Sequence, residues 1–199
     1  MIYQRSSTRV IRDLGLIVAL LVFALAVPYG SAQNENSSVS IGNFGKVNEN
    51  YYRGSQPGEA EITQLKKLGI KTIVDLRRDK KPQEVDWASR AGMQYYNIPL
   101  RASRAATEEQ TEYFMSLVND PANWPVYVHC KAGRHRTGAL TAVYRMTHDG
   151  WTADQAFSEM KHYKFGMDFL HPEFKSFVYA YDGQLHHAAA PSRVVAAMH

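Results

Sequence analysis

The chain has 199 residues, of which 45 % are hydrophobic and 21 % charged, and a net charge of +4. This suits one globular domain with small extras and excludes a disordered or collagen-like chain. So mild a basic excess does not call for nucleic acid, and a single cysteine excludes an intramolecular disulfide.

Residues 1–32 read as a targeting segment. Arg5, Arg9 and Arg12 form a positive start, Leu14 to Val27 is apolar, and Gly30-Ser31-Ala32 is a small-residue cleavage pattern. We expect a signal peptide cut after Ala32 and an exported protein, periplasmic or secreted. The alternative is an uncleaved membrane anchor, although the stretch is short for a span of about 20 residues. Residues 33–40 are polar and read as a flexible lead-in. A domain over residues 41–182 follows. Phe44 to Val47 and Tyr51 to Arg53 read as strands around the turn Asn48-Glu49-Asn50. Glu59 to Leu68 carries Ile62, Leu65 and Leu68 at helical spacing and stops at Gly69. Ile70 to Leu76 reads as a central buried strand, Arg77 to Lys81 as a basic loop, and Pro82 opens a helix running to Ala91. Met93 to Ile98 is the next strand. Thr107 with Gln110 caps a helix running to about Asp120. Val126 to His129 is a strand, Ala139 to Met146 a helix, Thr152 with Gln155 caps another, and Pro172 opens a last one through about Tyr181. Residues 183–199 read as a frayed tail. Strands alternating with helices predict an α/β fold: a central, mostly parallel sheet flanked by helices.

Between that last strand and its helix lies His129-Cys130-Lys131-Ala132-Gly133-Arg134-His135-Arg136-Thr137-Gly138. Strand, glycine-bearing loop and helix N-terminus gather backbone N–H groups into an anion cradle. A cysteine there sits in a positive field and ionises easily. The six fixed positions of His-Cys-x-x-Gly-x-x-Arg-[Ser/Thr]-Gly arise by chance on the order of once in 10⁸ positions.

Cys130-x5-Arg136-Thr137 resembles the signature loop of the cysteine-dependent protein tyrosine phosphatase superfamily. The string Cys130 to Gly138 is similar to loops of atypical dual-specificity phosphatases of the plant and fungal kind, some of which act on inositol pyrophosphates. The pair Lys131 and Arg134 is similar to that of phosphoinositide phosphatases. The likeness covers roughly residues 41–182, through Asn43 to Val47, Tyr52 to Pro57 and Leu68 to Arg77. It implies a dual-specificity phosphatase-like fold and a phosphotyrosine or dual-specificity protein phosphatase that hydrolyses phosphate monoesters of a phosphorylated protein through a phosphocysteine; the alternative is an inositol polyphosphate or pyrophosphate phosphatase, with an inositol phosphate as substrate.

The residues then take roles. Cys130 is the nucleophile. Arg136 holds two phosphate oxygens with its planar fork. Backbone N–H groups of Lys131, Ala132, Gly133, Arg134, His135 and Arg136 stabilise transition-state charge. Gly138 sits where a side chain would crowd the helix entry. The resemblance implies that Thr137 hydrogen-bonds the sulfur. His129 supports the loop, and the chemistry requires no cofactor and no metal. Side chains of Lys131, Arg134 and His135 form a basic rim; Arg77 and Arg101 are further candidates for substrate contact, as are Arg53, Arg78 and Arg104. Asp75 reads as structural, pairing with an arginine. One part is missing: the loop Pro99 to Ala106, where relatives place an acidic proton donor, has no carboxylate. Glu108, Glu109, Asp79 and Asp168 are the alternatives. That gap tilts the expectation toward phosphoanhydride or polyphosphorylated substrates, since a phosphate leaving group, with a pKa of about 6, needs little protonation. A rhodanese-like sulfurtransferase is the remote alternative.

Overall fold

The computed structural model describes residues 39–189; the targeting segment, most of the lead-in and residues 190–199 lie outside the described residues. Strands β1 (Gly45–Asn48) and β2 (Tyr51–Ser55) form a hairpin. Helix α1 (Glu59–Lys67) buries Ile62 and Leu65, and the Glu61 carboxylate accepts from the Gly58 N–H at its start. Strand β3 (Thr72–Arg77), helix α2 (Pro82–Arg90) and strand β4 (Gln94–Leu100) follow. Helix α3 (Glu108–Asn119) has the predicted reciprocal cap, Gln110 N–H to Thr107 Oγ1 at 3.3 Å and Thr107 N–H to Gln110 Oε1 at 3.0 Å. Strand β5 (Val126–Cys130) leads into helix α4 (His135–His148). Helix α5 (Ala153–His162) is capped by Thr152 and Gln155 as predicted, and helix α6 (Pro172–Ala189) closes the fold.

The five strands lie in the order β1-β2-β5-β3-β4, parallel except for β1. The central β3 and β5 are buried along their whole length, as strands covered on both faces must be. Side chains alternate between the faces. Val74, Leu76, Val126 and Val128 pack with Phe114 of α3 and Leu140 of α4. Ile73 and Tyr127 pack with Ile62 and Leu65 of α1 and Ala88 of α2. A third apolar cluster joins α4, α5 and α6 through Met146, Met160, Phe165 and Phe174. The register sets Gly54 and Asp75 on either side of His129, and Ser55 beside Cys130. The signature loop therefore leaves the carboxyl end of a central strand, where ligands bind in open α/β sheets.

Several boundaries differ from expectation, and three of the differences have a plain physical reason. Helix α4 starts at His135 rather than Ala139, so Arg136, Thr137 and Gly138 lie in its first turn. Strand β4 continues through Pro99 to Leu100; it is an edge strand, where proline's missing N–H costs no ladder bond. Helix α6 runs on to Ala189 instead of fraying from residue 183. Phe177, Tyr181 and Leu185, four apart on one stripe, pack against the third cluster and carry the helix past the predicted end.

Candidate active site

The loop from Cys130 to Arg136 is shaped from outside. Its carbonyls are drawn away from the cradle by three donors: the Gln56 N–H to Lys131 O (3.3 Å), Asn43 Nδ2 to Ala132 O (2.8 Å) and Arg53 Nη2 to Gly133 O (2.9 Å). With the carbonyls held back, the N–H groups of Lys131, Gly133 and Arg134 have no backbone acceptor among the described residues. The first turn of α4 adds its own unpaired N–H groups and the positive end of its dipole. Gly133 has φ +65°, and a Cβ there would lie 2.5 Å from the carbonyl carbon of Gly54. Only glycine fits so near the neighbouring strand.

Cys130 is buried at the floor of this cradle. Burial pushes its thiol up, but the Thr137 hydroxyl and N–H, the Arg136 charge and the Ala132 N–H outweigh it. The net pKa lies below the ordinary thiol value. The Thr137 hydroxyl is itself buried and has no other partner among the described residues. Arg136 curls back from α4; its Nη1 donates to Leu100 O at 3.2 Å and Leu76 O at 3.4 Å. Two strand-end carbonyls thus seat the guanidinium while its remaining nitrogens stay free for an anion. Above the loop is an open cavity of about 440 Å³, walled by Lys131 and Arg136, by Gln56, by the β3–α2 loop through Arg78, Asp79 and Lys81, and by Ala102. A larger groove of about 560 Å³ between α3 and α6, lined by Met115, Phe177 and Leu185, contains no part of the signature loop.

Behind the cradle lies a buried ion network. His129 Nε2 is 2.8 Å from Glu84 Oε1, and its Nδ1 is 3.4 Å from the Cys130 carbonyl oxygen and 3.9 Å from Asp75 Oδ1. Glu84 Oε2 accepts from Arg77 Nη2 (2.7 Å) and Gln56 Nε2 (3.1 Å). Arg77 also donates to both Asp75 oxygens, at 2.8 and 2.6 Å, and Tyr95 donates to Oδ2 at 2.6 Å. Burial pushes the Asp75 carboxyl up, yet these hydrogen bonds and the facing His129 hold it below the usual carboxylate value. Asp75, Glu84 and His129 are spaced like metal ligands. The guanidinium of Arg77 already occupies both carboxylates, so the cluster is built as an ion network.

These features agree with the comparison to known proteins. The family described as a DSP-PTPase phosphatase fused to NAD+ kinase matches residues 31–175. The chain belongs to this DSP-PTPase phosphatase family. It is 30 % identical over 124 residues to the dual specificity protein phosphatase TpbA of Pseudomonas aeruginosa, covering 62 % of this chain and 56 % of TpbA. It is 27 % identical over 129 residues to the inositol diphosphatase SIW14 of Saccharomyces cerevisiae, covering 62 % of this chain and 46 % of SIW14. The chain thus spans about half the length of these relatives. The crystal structure of TpbA superposes with a TM-score of 0.63 at 29 % identity, covering 75 % of this chain and 92 % of that one.

Within this DSP-PTPase loop the predicted residues are sorted by the structure. Cys130, Arg136 and Thr137 come together, and Lys131 lines the cavity. Arg134 is exposed and does not wall the cavity. The His135 ring faces elsewhere: it stacks near His171 and Phe174, and its Nε2 meets Phe165 O at 2.9 Å. Burial lowers its pKa, so its side chain adds no dependable rim charge. Gly138 lies against Met160, where a Cβ would come to 3.2 Å. Arg77 reaches the cavity wall but is committed to Asp75 and Glu84. Arg101 and Arg104 are exposed and do not wall the cavity. Arg53 is fully buried beneath the loop, over the Tyr163 ring and 4.0 Å from Glu159, and contacts no mouth.

Glu84 is the residue that sequence reading missed. In the first turn of a helix it reads as an ordinary dipole partner; its contact with His129 joins distant parts of the chain. Removing one member of a buried ion network leaves the others uncompensated. Glu84→Ala is therefore expected to cost about 3–5 kcal/mol. That would lower the melting temperature by roughly 10 °C, measured by circular dichroism.

Proposed function

We propose that this chain is a cysteine-dependent phosphatase whose substrates carry more than one phosphate, with inositol polyphosphates and pyrophosphates the best-fitting class. The Cys130 thiolate attacks phosphorus, the bond to the leaving oxygen breaks, and a phosphocysteine forms. Water then attacks phosphorus and the sulfur leaves with its electron pair, assisted by the Thr137 hydroxyl. Loop N–H groups and Arg136 hold the equatorial oxygens throughout.

The observation that carries the substrate class is the cavity wall. Arg78, Lys81 and Lys131 surround the cradle without an ion-pair partner among the described residues. The same wall offers no aromatic side chain and nothing aliphatic longer than Ala102 to hold a phenol ring. Extra anionic groups therefore gain charge-assisted hydrogen bonds there, whereas a tyrosyl ring gains little buried area. The second reading, a protein tyrosine phosphatase, is favoured by likeness to TpbA, which has been solved in complex with phosphotyrosine. Turnover of an inositol pyrophosphate and of a phosphotyrosine peptide separates the two. We expect kcat/KM to favour the inositol substrate at least about tenfold, equivalent to about 1.4 kcal/mol. A preference for the peptide would reject the substrate class and keep the phosphatase.

Export is also part of this reading. Its support is the arginine-led apolar segment and small-residue cleavage pattern of residues 1–32. Among the described residues no helix is long and apolar enough to cross a membrane.

A further inference from the structure

The geometry points to Asp79 as the proton donor to the leaving group. This rests on the reading of the chain as a cysteine-dependent phosphatase and fills the role that the loop before α3 leaves empty.

In-line displacement places the leaving oxygen opposite the attacking sulfur. Cys130 lies at the floor of the cradle, so the leaving oxygen faces the cavity mouth. On the mouth wall, the loop before α3 presents Ala102, and the β3–α2 loop presents Asp79. Asp79 is exposed, and no described residue hydrogen-bonds or ion-pairs with it. Its side chain is thus free to turn toward an oxygen.

The other carboxylates are placed elsewhere. Asp75 and Glu84 are buried and bound to Arg77. Asp168 is held between Lys161 and Lys175. Glu108 lines the separate groove between α3 and α6, and Glu109 is exposed on α3 outside the cavity wall.

The loop carrying Asp79 is anchored on both sides. Arg77, two residues before it, is locked into the ion network, and Glu84 in the first turn of α2 belongs to the same network. The carboxyl therefore sits on a short tether between fixed ends. The charged groups sharing its cavity are Arg77 on β3, Arg78 and Lys81 on its own loop, Lys131 on the signature loop and Arg136 on α4.

The proton balance is simple. As the S–P bond forms and the P–O bond breaks, the electron pair leaves with oxygen, which takes the proton from the Asp79 carboxyl. In the second step water attacks phosphorus, the S–P bond breaks with its pair returning to sulfur, and the Asp79 carboxylate takes the water's proton. Orthophosphate and the starting enzyme result. With an acid in place, a phosphoanhydride gains no advantage from a missing donor; the cationic wall alone carries that preference.

The test is the full chain and its D79N and D79E variants on aryl phosphates that span a range of leaving-group acidity, with C130S as control. General acid catalysis contributes 10²–10⁴-fold, so D79N should lose about 100-fold on phenyl phosphate and less than about tenfold on dinitrophenyl phosphate. The fall of kcat at high pH should vanish in D79N and return in D79E. No loss, or an equal loss along the whole series with an unchanged pH profile, would overturn the assignment while inactive C130S still upheld the phosphatase. Active C130S would overturn both.

Discussion

Cys130→Ser is expected to lower kcat for any aryl phosphate by about 10⁵-fold, in line with loss of the nucleophile in covalent catalysis. The substitution changes one atom at the floor of the cradle and leaves the loop's three outer anchors, Gln56, Asn43 and Arg53, untouched. The fold should therefore persist, and the variant should still bind substrate. What is lost is an ionised nucleophile. The surroundings that bring the thiol below its ordinary value, Thr137, Arg136 and the inward N–H groups, cannot ionise an alcohol near neutral pH. The same shift is measurable in the wild type. Iodoacetamide alkylation of Cys130 should reach half its maximal rate below the usual thiol value of about 8.5, and inorganic phosphate should slow it by filling the cradle. The sign of the linked stability follows. A depressed folded-state pKa stabilises the fold above the unfolded thiol's pKa, and that contribution is lost as pH falls through the folded value. C130S should lack this increment at high pH.

The parts that sequence made legible are those whose signal is local. The signature loop is ten consecutive residues, and the caps Thr107–Gln110 and Thr152–Gln155 are four-residue patterns whose bonds close on themselves. The short apolar runs Ile73-Val74 in β3 and Val126-Tyr127-Val128 in β5 announce buried strands. What sequence left hidden depends on contacts between distant segments. An arginine at a strand end reads alike whether it meets substrate or a buried carboxylate. Arg77 meets Asp75 and Glu84, and Arg53 meets the Gly133 carbonyl. Asp79 is one negative residue within a basic run, and only the folding of that run onto the mouth of the cradle distinguishes it. Leu185 escaped notice because a single leucine among histidines and alanines shows no period until Phe177 and Tyr181 are placed on its stripe.

Arg136→Lys is expected to lower kcat/KM by about 10³-fold, close to the loss from Arg136→Ala, as for removal of one oxyanion-type donor set. Arg136 is held by main-chain carbonyls at the ends of β3 and β4, Leu76 O and Leu100 O, both through Nη1. This leaves Nε and Nη2, on one edge of the planar fork, to meet two phosphate oxygens together. An ammonium has three donors but no such edge. If lysine satisfied the strand carbonyls it would be drawn away from the anion; if it met the anion, the carbonyls would lose their partner. Charge alone would let lysine recover most of the activity lost in the alanine variant, whereas a requirement for a seated fork leaves the two variants alike. Comparing kcat/KM for the pair, together with the dissociation constant of vanadate, decides between these. Near-equal losses in both quantities are the expected result, and a lysine variant within about tenfold of wild type would show that Arg136 acts as a point charge rather than as a positioned clamp.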